Sequence, residues 1–208
     1  MSAIFDNASS VTQGNKLSLM SASTLSGRRI SQRRGPFLYT FEVVINPLST
    51  DSTAYKNIRS EIASMDYGVN ALVTTIPYLT KENGSWNTGV EDPIVDGANQ
   101  TGRSVILGNF APLQTDVIID GDFLQFSNNT KVYQAIGNCD SDADGNVTVY
   151  LNSPLVVSPV DGTTVVYGEN VEFSLAIDEA NFNTNFMPRS VDTNVARIDT
   201  FILTEIIT

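Results

Sequence analysis

The chain has 208 residues, 41% of them hydrophobic, enough to build one ordinary domain or one domain with a small second one inserted in it. It contains no histidine and a single cysteine, Cys139, which excludes Ser-His-Asp chemistry, an intramolecular disulfide and most zinc sites, and leaves a Cys139 nucleophile without its usual base. A formal net charge of -11 repels nucleic acid as a whole.

Residues 1–36 are rich in Ser, Asn, Thr and Gly, with weak apolar periodicity at Leu17, Leu19 and Leu25. They predict an N-terminal arm that is loose in isolation and ordered by packing on something else. The polar start from Met1 to Asn7 lacks the charged lead and apolar core of a secretory signal. Arg28, Arg29, Arg33 and Arg34 concentrate positive charge in this arm, whereas residues 35–208 carry 7 basic and 22 acidic side chains, a net of -15. A basic arm on an acidic body suits binding to the acidic face of a neighbouring copy; a solvated loop is the plainer alternative. Nucleic-acid contact without interleaved aromatics is less expected.

From Phe37 to Ile45, the residues Phe37, Tyr39, Phe41, Val43 and Ile45 alternate with a mixed set, which predicts a half-buried strand ended by Asn46-Pro47. The period then changes. Tyr55, Ile58, Ile62 and Met65 fall on one helical face, with Ser49 or Thr50 to cap the start and Gly68 to end it, so one helix is expected over about residues 50–66. Ala71 to Ile76 returns to β character. Leu79 to Gly102 is turn chemistry around Trp86, the single tryptophan, which reads either as an interface anchor or as a satellite core under the loop.

Ser104–Leu107 and Val117–Ile119 read as short strands. Between Asp120 and Tyr167 come four β-prone runs, with Asp140-Ser-Asp-Ala-Asp-Gly145 between the third and the second. Val171 to Ile177 is another half-buried strand, Asp178 to Asn194 a long polar loop, and Ile198 to Ile207 a strand apolar on both sides that must be central in a sheet or paired across an interface. No run of about eighteen apolar residues predicts a membrane-spanning helix.

In this order the pieces resemble a phage protein family, the distal-tail and minor-tail components of long-tailed bacteriophages and prophages. The resemblance is carried by Arg33-Arg-Gly-Pro-Phe-Leu-Tyr-Thr-Phe-Glu-Val43, the helix from Ser52 to Met65 after a Pro-Leu turn, and Gln100-Thr-Gly-Arg-Ser104. Its strongest part runs from Gly121-Asp-Phe-Leu-Gln-Phe126 through Lys131-Val-Tyr133 and Asn152-Ser-Pro-Leu155 to Asp161-Gly-Thr163. The resemblance implies a mainly β chain with one α-helix: an arm over 1–36, a tail-tube-like β-sandwich body over 37–78 and 171–208, and an inserted small β-barrel domain over 79–170. It implies a virion protein of the phage tail, assembled in the host cytoplasm. Such a protein would form a ring, expected as a hexamer, joining the tail tube to tail-tip or fibre proteins, with DNA at most passing through its lumen. No enzymatic activity, cofactor or metal comes with it. The long segment after Ile177 and the N-terminal arm depart from the family pattern.

Two further patterns bring acidic residues together. Asp140 to Gly145 opens like a calcium loop, but Leu151 stands where the bidentate glutamate belongs, and a hairpin turn between Val132–Ile136 and Val147–Leu151 explains the same residues. Asp120 and Asp122 flank Gly121 as paired carboxylates would, yet no third acid, base or oxyanion donor is identifiable, and a turn is the simpler reading. The expected inter-subunit contacts are Arg28, Arg29, Arg33, Arg34, Phe201 and Leu203. The alternative function is a carbohydrate-binding or adhesin β-module, with Trp86 and Tyr78 as its stacking platform.

Overall fold

The computed structural model describes residues 2–16, 19–23, 29–33, 35–66, 69–86, 88–89, 91–177, 195–196 and 200–207. The protein is mainly β. Its chain divides into two compact units, Met1–Thr74 with Ser174–Ile206 and Thr75–Phe173 with Ile207–Thr208. The polar segment from Asp178 to Asn194 lies outside the described residues.

The chain opens with α1 (Ala3–Asp6), β1 (Ala8–Lys16), β2 (Leu19–Ser23), β3 (Arg29–Arg33), β4 (Leu38–Ile45), β5 (Leu48–Ser49), α2 (Thr53–Ser64) and β6 (Leu72–Thr75). The second unit holds α3 (Pro77–Thr80), β7 (Ile94–Val95), β8 (Ser104–Gly108), β9 (Phe123–Phe126), β10 (Val132–Gln134), β11 (Val147–Tyr150) and β12 (Val165–Tyr167). Then follow β13 (Glu172–Ile177), β14 (Val195–Ala196) and β15 (Phe201–Glu205).

In the first unit a five-stranded sheet has the order β1-β4-β15-β13-β6. The alternation in β4 does what it predicts: Tyr39, Phe41, Val43 and Ile45 are all buried, each contributing roughly 1.5–3 kcal/mol against exposure. The C-terminal strand is central, because β15 pairs antiparallel with β4 on one side and β13 on the other. Leu203 stands opposite both Phe41 and Ile177, and its side chain is fully buried.

Helix α2 starts where the Ser52 hydroxyl accepts the Tyr55 N–H at 3.2 Å, the N-cap bond that satisfies an orphan donor. It buries Tyr55, Ile58 and Ile62 along one face. Its C-cap is Met65; the predicted terminator Gly68 lies outside the described residues.

The loose arm expected over residues 1–36 is corrected for its first half. Residues 8–16 form the end strand of the five-stranded sheet, paired with β4 from Ala8↔Ile45 to Lys16↔Leu38. The register shifts between Ala8 and Ser10, and the Ser9 hydroxyl donates to the Val44 carbonyl at 2.9 Å there. Ahead of it α1 is pinned by Glu61, whose Oε2 accepts from the Ser2 hydroxyl and the Ile4 N–H, both at 2.8 Å. Ile4 and Phe5 are buried, and Phe5 meets Phe41 edge-on with centroids 6.0 Å apart. An isolated polar strand does not hold itself; here backbone pairing and two apolar anchors supply the missing energy. Beyond it, β2 and β3 form a separate two-stranded sheet, from Leu19↔Arg33 to Ser23↔Arg29.

In the second unit the sheets β10-β9-β12 and β11-β8-β7 are joined by backbone hydrogen bonds on both sides. On one side Ala135 bridges Leu151, flanked by Ile136 N–H to Tyr150 O at 2.8 Å and Asn152 N–H to Gln134 O at 2.9 Å. On the other, Ile94 bridges Thr164, with Val95 N–H to Thr163 O and Val165 N–H to Pro93 O, both at 2.9 Å. Val105, Leu107, Leu124, Phe126, Tyr133, Val147, Val149 and Val165 belong to the core cluster of this unit.

The hairpin expected between Val132–Ile136 and Val147–Leu151 is present in irregular form, as the isolated antiparallel bridges Ala135–Leu151 and Ser141–Val147 closed by Asp142 N–H to Asn146 O at 2.9 Å, while the regular pairings lie elsewhere. Strand β10 pairs with β9, and β11 with β8. The physical reason lies in the connecting segment: Cys139 leaves to bridge Ile118, so the two runs part soon after they meet. The strand expected at Val117–Ile119 amounts to the same single bridge. Two short helices, α1 and α3, add to the one expected.

The Glu61 anchor generates the first prediction. Glu61→Ala leaves the Ser2 hydroxyl and the Ile4 N–H without that acceptor and should cost about 1–3 kcal/mol in a urea melt. Limited proteolysis should then cut first within residues 2–16. An unchanged midpoint and cleavage pattern would mean that the apolar anchors alone hold this segment.

Candidate functional site

The most elaborate side-chain cluster of the second unit is built on Asp122, at the entry of β9. A turn delivers it: the Asp122 N–H donates to Ile119 O at 3.0 Å, and Gly121 takes φ 96, which favours glycine. The Asp122 side chain is 1% exposed. Its Oδ1 accepts the Asn83 N–H at 2.7 Å, and its Oδ2 accepts Gly84 N–H at 3.0 Å, Ile119 N–H at 3.1 Å and Trp86 Nε1–H at 2.9 Å. A buried carboxylate is costly unless its oxygens are satisfied, and four donors satisfy this one. A Cβ on Gly84 would meet Val117 O at 2.5 Å and Asp122 Oδ2 at 2.8 Å, so the loop can approach this closely only with glycine there.

Trp86 is 3% exposed and stacks on Tyr167, with ring centroids 4.3 Å apart and planes 4° apart. Its backbone sits at φ 42, an unfavourable region for a bulky residue. That conformation is held from both ends, by Trp86 N–H to Val117 O at 2.9 Å and by the indole bond to Asp122. Burial, and to a lesser degree the nearby charges of Asp92 and Glu82, push the Tyr167 phenol above its ordinary pKa. This corrects the stacking platform expected of Trp86 and Tyr78. Trp86 faces inward, where its N–H meets the Asp122 carboxylate, whereas Tyr78 is 60% exposed.

Asp120 and Asp122 also part company. Asp120 is exposed and accepts the Gly137 N–H at 2.8 Å, so the two carboxylates share no site. The acidic loop is spent on its own backbone. Asp140 Oδ1 accepts Asp116 N–H at 2.8 Å, and Asp142 Oδ1 accepts Asp144 N–H at 2.9 Å and Asn146 N–H at 2.8 Å, the side-chain turn to which aspartate is suited. Among the described residues no group of three or more His, Cys, Asp or Glu side chains is placed to hold a metal ion. Cys139 is buried, with its thiol 3.7 Å from Gly137 O. Burial pushes its pKa up, the backbone near Tyr150 opposes this, and the charges of Asp140 and Asp122 add to it.

The residues expected at a subunit contact divide three ways. Arg28 and Arg34 lie outside the described residues, while Arg29 and Arg33 are the two ends of β3. Phe201 pairs with Val43 through its backbone. Leu203 as an inter-subunit contact is corrected: it is buried in its own chain's sheet, because the apolar C-terminal strand completes that sheet from within. What sequence reasoning missed is the pair of end strands. Strand β1 exposes Ser9, Ser10, Thr12, Asn15 and Lys16, and β6 exposes Val73; each has a strand neighbour on one side only among the described residues. Among the same residues no helix is long and apolar enough to cross a membrane.

Comparison of the chain with protein-family models finds no match, and comparison with curated proteins finds none. The chain's own chemistry therefore carries the functional reading.

Two predictions follow from this cluster. Trp86→Phe keeps an aromatic ring but removes one donor from Asp122, at about 1–3 kcal/mol; Asp122→Ala takes the acceptor from four donors, one buried and three part-buried, and should cost at least about 3 kcal/mol, with the emission of Trp86 shifting to the red. A wild-type spectrum and melt in the Asp122 variant would remove that carboxylate from its central place. Separately, a buried thiol with a raised pKa is a poor nucleophile, so iodoacetamide at about pH 8 should label native Cys139 at least about tenfold slower than the unfolded chain. Equal rates would show that the thiol is open to solvent.

Proposed function

We propose that this chain is a structural virion protein of a phage tail, forming a ring at the tail end that joins the tube to the host-recognition apparatus. The observation that carries the reading is the five-stranded sheet whose end strands, β1 and β6, each have a strand neighbour on one side only among the described residues. An end strand presents unpaired N–H and C=O groups. Two different end strands on one subunit permit head-to-tail pairing, and a head-to-tail contact whose rotation closes makes a ring. The sequence resemblance to distal-tail and minor-tail proteins supports the same reading and suggests six copies, tail-tube and fibre partners, and a lumen through which DNA passes.

In this reading the first unit is the tail-tube-like body that assembles, and the second is a small barrel-like insertion carried between β6 and β13. Charge assists: the arginines around β3 oppose a remainder of net charge -15. The role is structural, with no catalytic step, and the place is the virion after assembly in the host cytoplasm. The adhesin alternative is weakened by the burial of Trp86.

Mass measurement in solution tests the proposal. A closed ring is expected, and a monomer at every concentration would overturn it. Replacing Arg28, Arg29, Arg33 and Arg34 by serine should weaken assembly by about 1–4 kcal/mol at low salt, taking each exposed pair at its usual worth, while leaving the subunit's melting unchanged. Assembly equally strong with and without the arginines would remove the arm from the contact.

A further inference from the structure

We infer that the second unit carries a binding cleft for a neutral sugar, centred on the Ser127–Thr130 turn and Glu172. The cleft has a volume of about 460 Å³ and is lined by Ser127, Asn128, Asn129, Thr130, Val166 and Glu172, with Phe126 and Gln125 behind them. That size falls among small-molecule sites. Its place owes nothing to Trp86 or Tyr78, and the inference does not depend on the ring.

The cleft has fixed walls and free polar groups. Gln125 is buried, and its amide binds the backbone of Glu172 in both directions: Nε2–H to Glu172 O at 3.0 Å, and Glu172 N–H to Oε1 at 3.2 Å. This clamp ties the start of β13 to β9 and fixes the backbone from which the Glu172 side chain extends. On the opposite wall the turn is closed by Asn129 N–H to Phe126 O at 3.0 Å and by Lys131 N–H to Asn129 Oδ1 at 3.0 Å. Asn129 Nδ2–H then donates to Asn128 Oδ1 at 3.3 Å, which orients the Asn128 amide. Within the described chain no hydrogen bond takes the Ser127 hydroxyl, the Asn128 Nδ2 or the Glu172 carboxylate, and Ser127, Asn128 and Glu172 are all exposed. Val166, half-buried, adds an apolar surface.

A carboxylate that accepts, an amide that donates, a hydroxyl that does both and one apolar patch match the alternating hydroxyls and C–H face of a pyranose ring. Charge selects which sugar. Among the described residues no lysine or arginine lines the site, and residues 75–173 hold 13 acidic against 3 basic residues, a net of -10. An anionic sugar would bring its charge against Glu172 and the field of the whole unit; a neutral one would not.

Saturation-transfer NMR on the full chain, with galactose, glucose, N-acetylglucosamine and glucuronate as separate probes, tests this. At least one neutral sugar should receive saturation and glucuronate none. Glu172→Ala should weaken the binding about tenfold, as expected for loss of a hydrogen bond to a charged group, with Asn128→Ala weakening it several-fold and both variants melting like the parent. Saturation of glucuronate as strong as that of the neutral sugars, no saturation of any probe, or unchanged binding in both variants would each overturn the assignment. A ring that binds no sugar would sink this inference alone; a monomer that binds one would sink only the ring.

Discussion

The first unit depends on one row of side chains that no local interaction could assemble. Phe41, Leu203 and Ile177 lie opposite one another across β4, β15 and β13, all buried. Leu203 is separated from Phe41 by most of the chain, and the closing strand must slide in between two strands that would otherwise have no common neighbour. Such non-local pairing folds slowly because loop closure must precede the contacts that repay it. The second unit falls in the chain between strands of this sheet, since residues 76–171 separate β6 from β13.

The second unit solves the same problem with polar chemistry. Its turn-rich lead, residues 79–102, has little apolar periodicity to direct it inward. The Asp122 carboxylate does so instead, collecting N–H groups from Asn83, Gly84 and Trp86 as well as from its own turn. One buried charge thereby specifies where an irregular loop must lie. The stacked Trp86–Tyr167 pair adds to the apolar core beneath it. Polar satisfaction and apolar burial reinforce each other here: without the acceptor the indole N–H would sit unpaired in the core and offset part of what its ring gains by burial.

How much of this was legible follows from the distance over which each element is decided. Strand β4 and helix α2 declare themselves within ten or so residues, through alternation in one and the spacing of Tyr55, Ile58 and Ile62 in the other, although the cap expected at Ser49 or Thr50 falls at Ser52. The last strand was readable as either central in a sheet or paired across an interface, because a run apolar on both sides needs cover on both; the pairing with β4 and β13 decides for the first. Strand β1 was not, since an end strand half open to water needs no alternation and its Ser, Thr and Asn residues look like a loop. Trp86 was ambiguous for a different reason: its environment comes from residues 36 and 81 positions later in the chain. The one available signal was Asp122 itself, a carboxylate at the entry of the run Phe123–Phe126, which becomes buried on every residue. The Asp140–Gly145 segment was legible as a turn, and its two arms do meet at the Ser141–Val147 and Ala135–Leu151 bridges; their regular pairing with β9 and β8 was not legible, because turn chemistry fixes a local bend and leaves open how far the arms it connects pair.

Free end strands are hazards as well as opportunities, and the composition of β1 bears on which they are here. A long apolar edge would aggregate without control; β1 instead offers Ser, Thr, Asn and Lys side chains, so that little apolar area rewards a misplaced partner. Backbone pairing must then supply the attraction in the proposed ring, and subunits of net charge -11 oppose it. The opposition is strongest at low salt and falls as screening grows. Positive charge concentrated in one short segment changes that balance only where it meets the acidic surface of a neighbour, which favours one relative orientation over the many that bare edge pairing would allow. Polar edges and segregated charge are thus two parts of one constraint: the edge makes association possible, and the charge makes it selective.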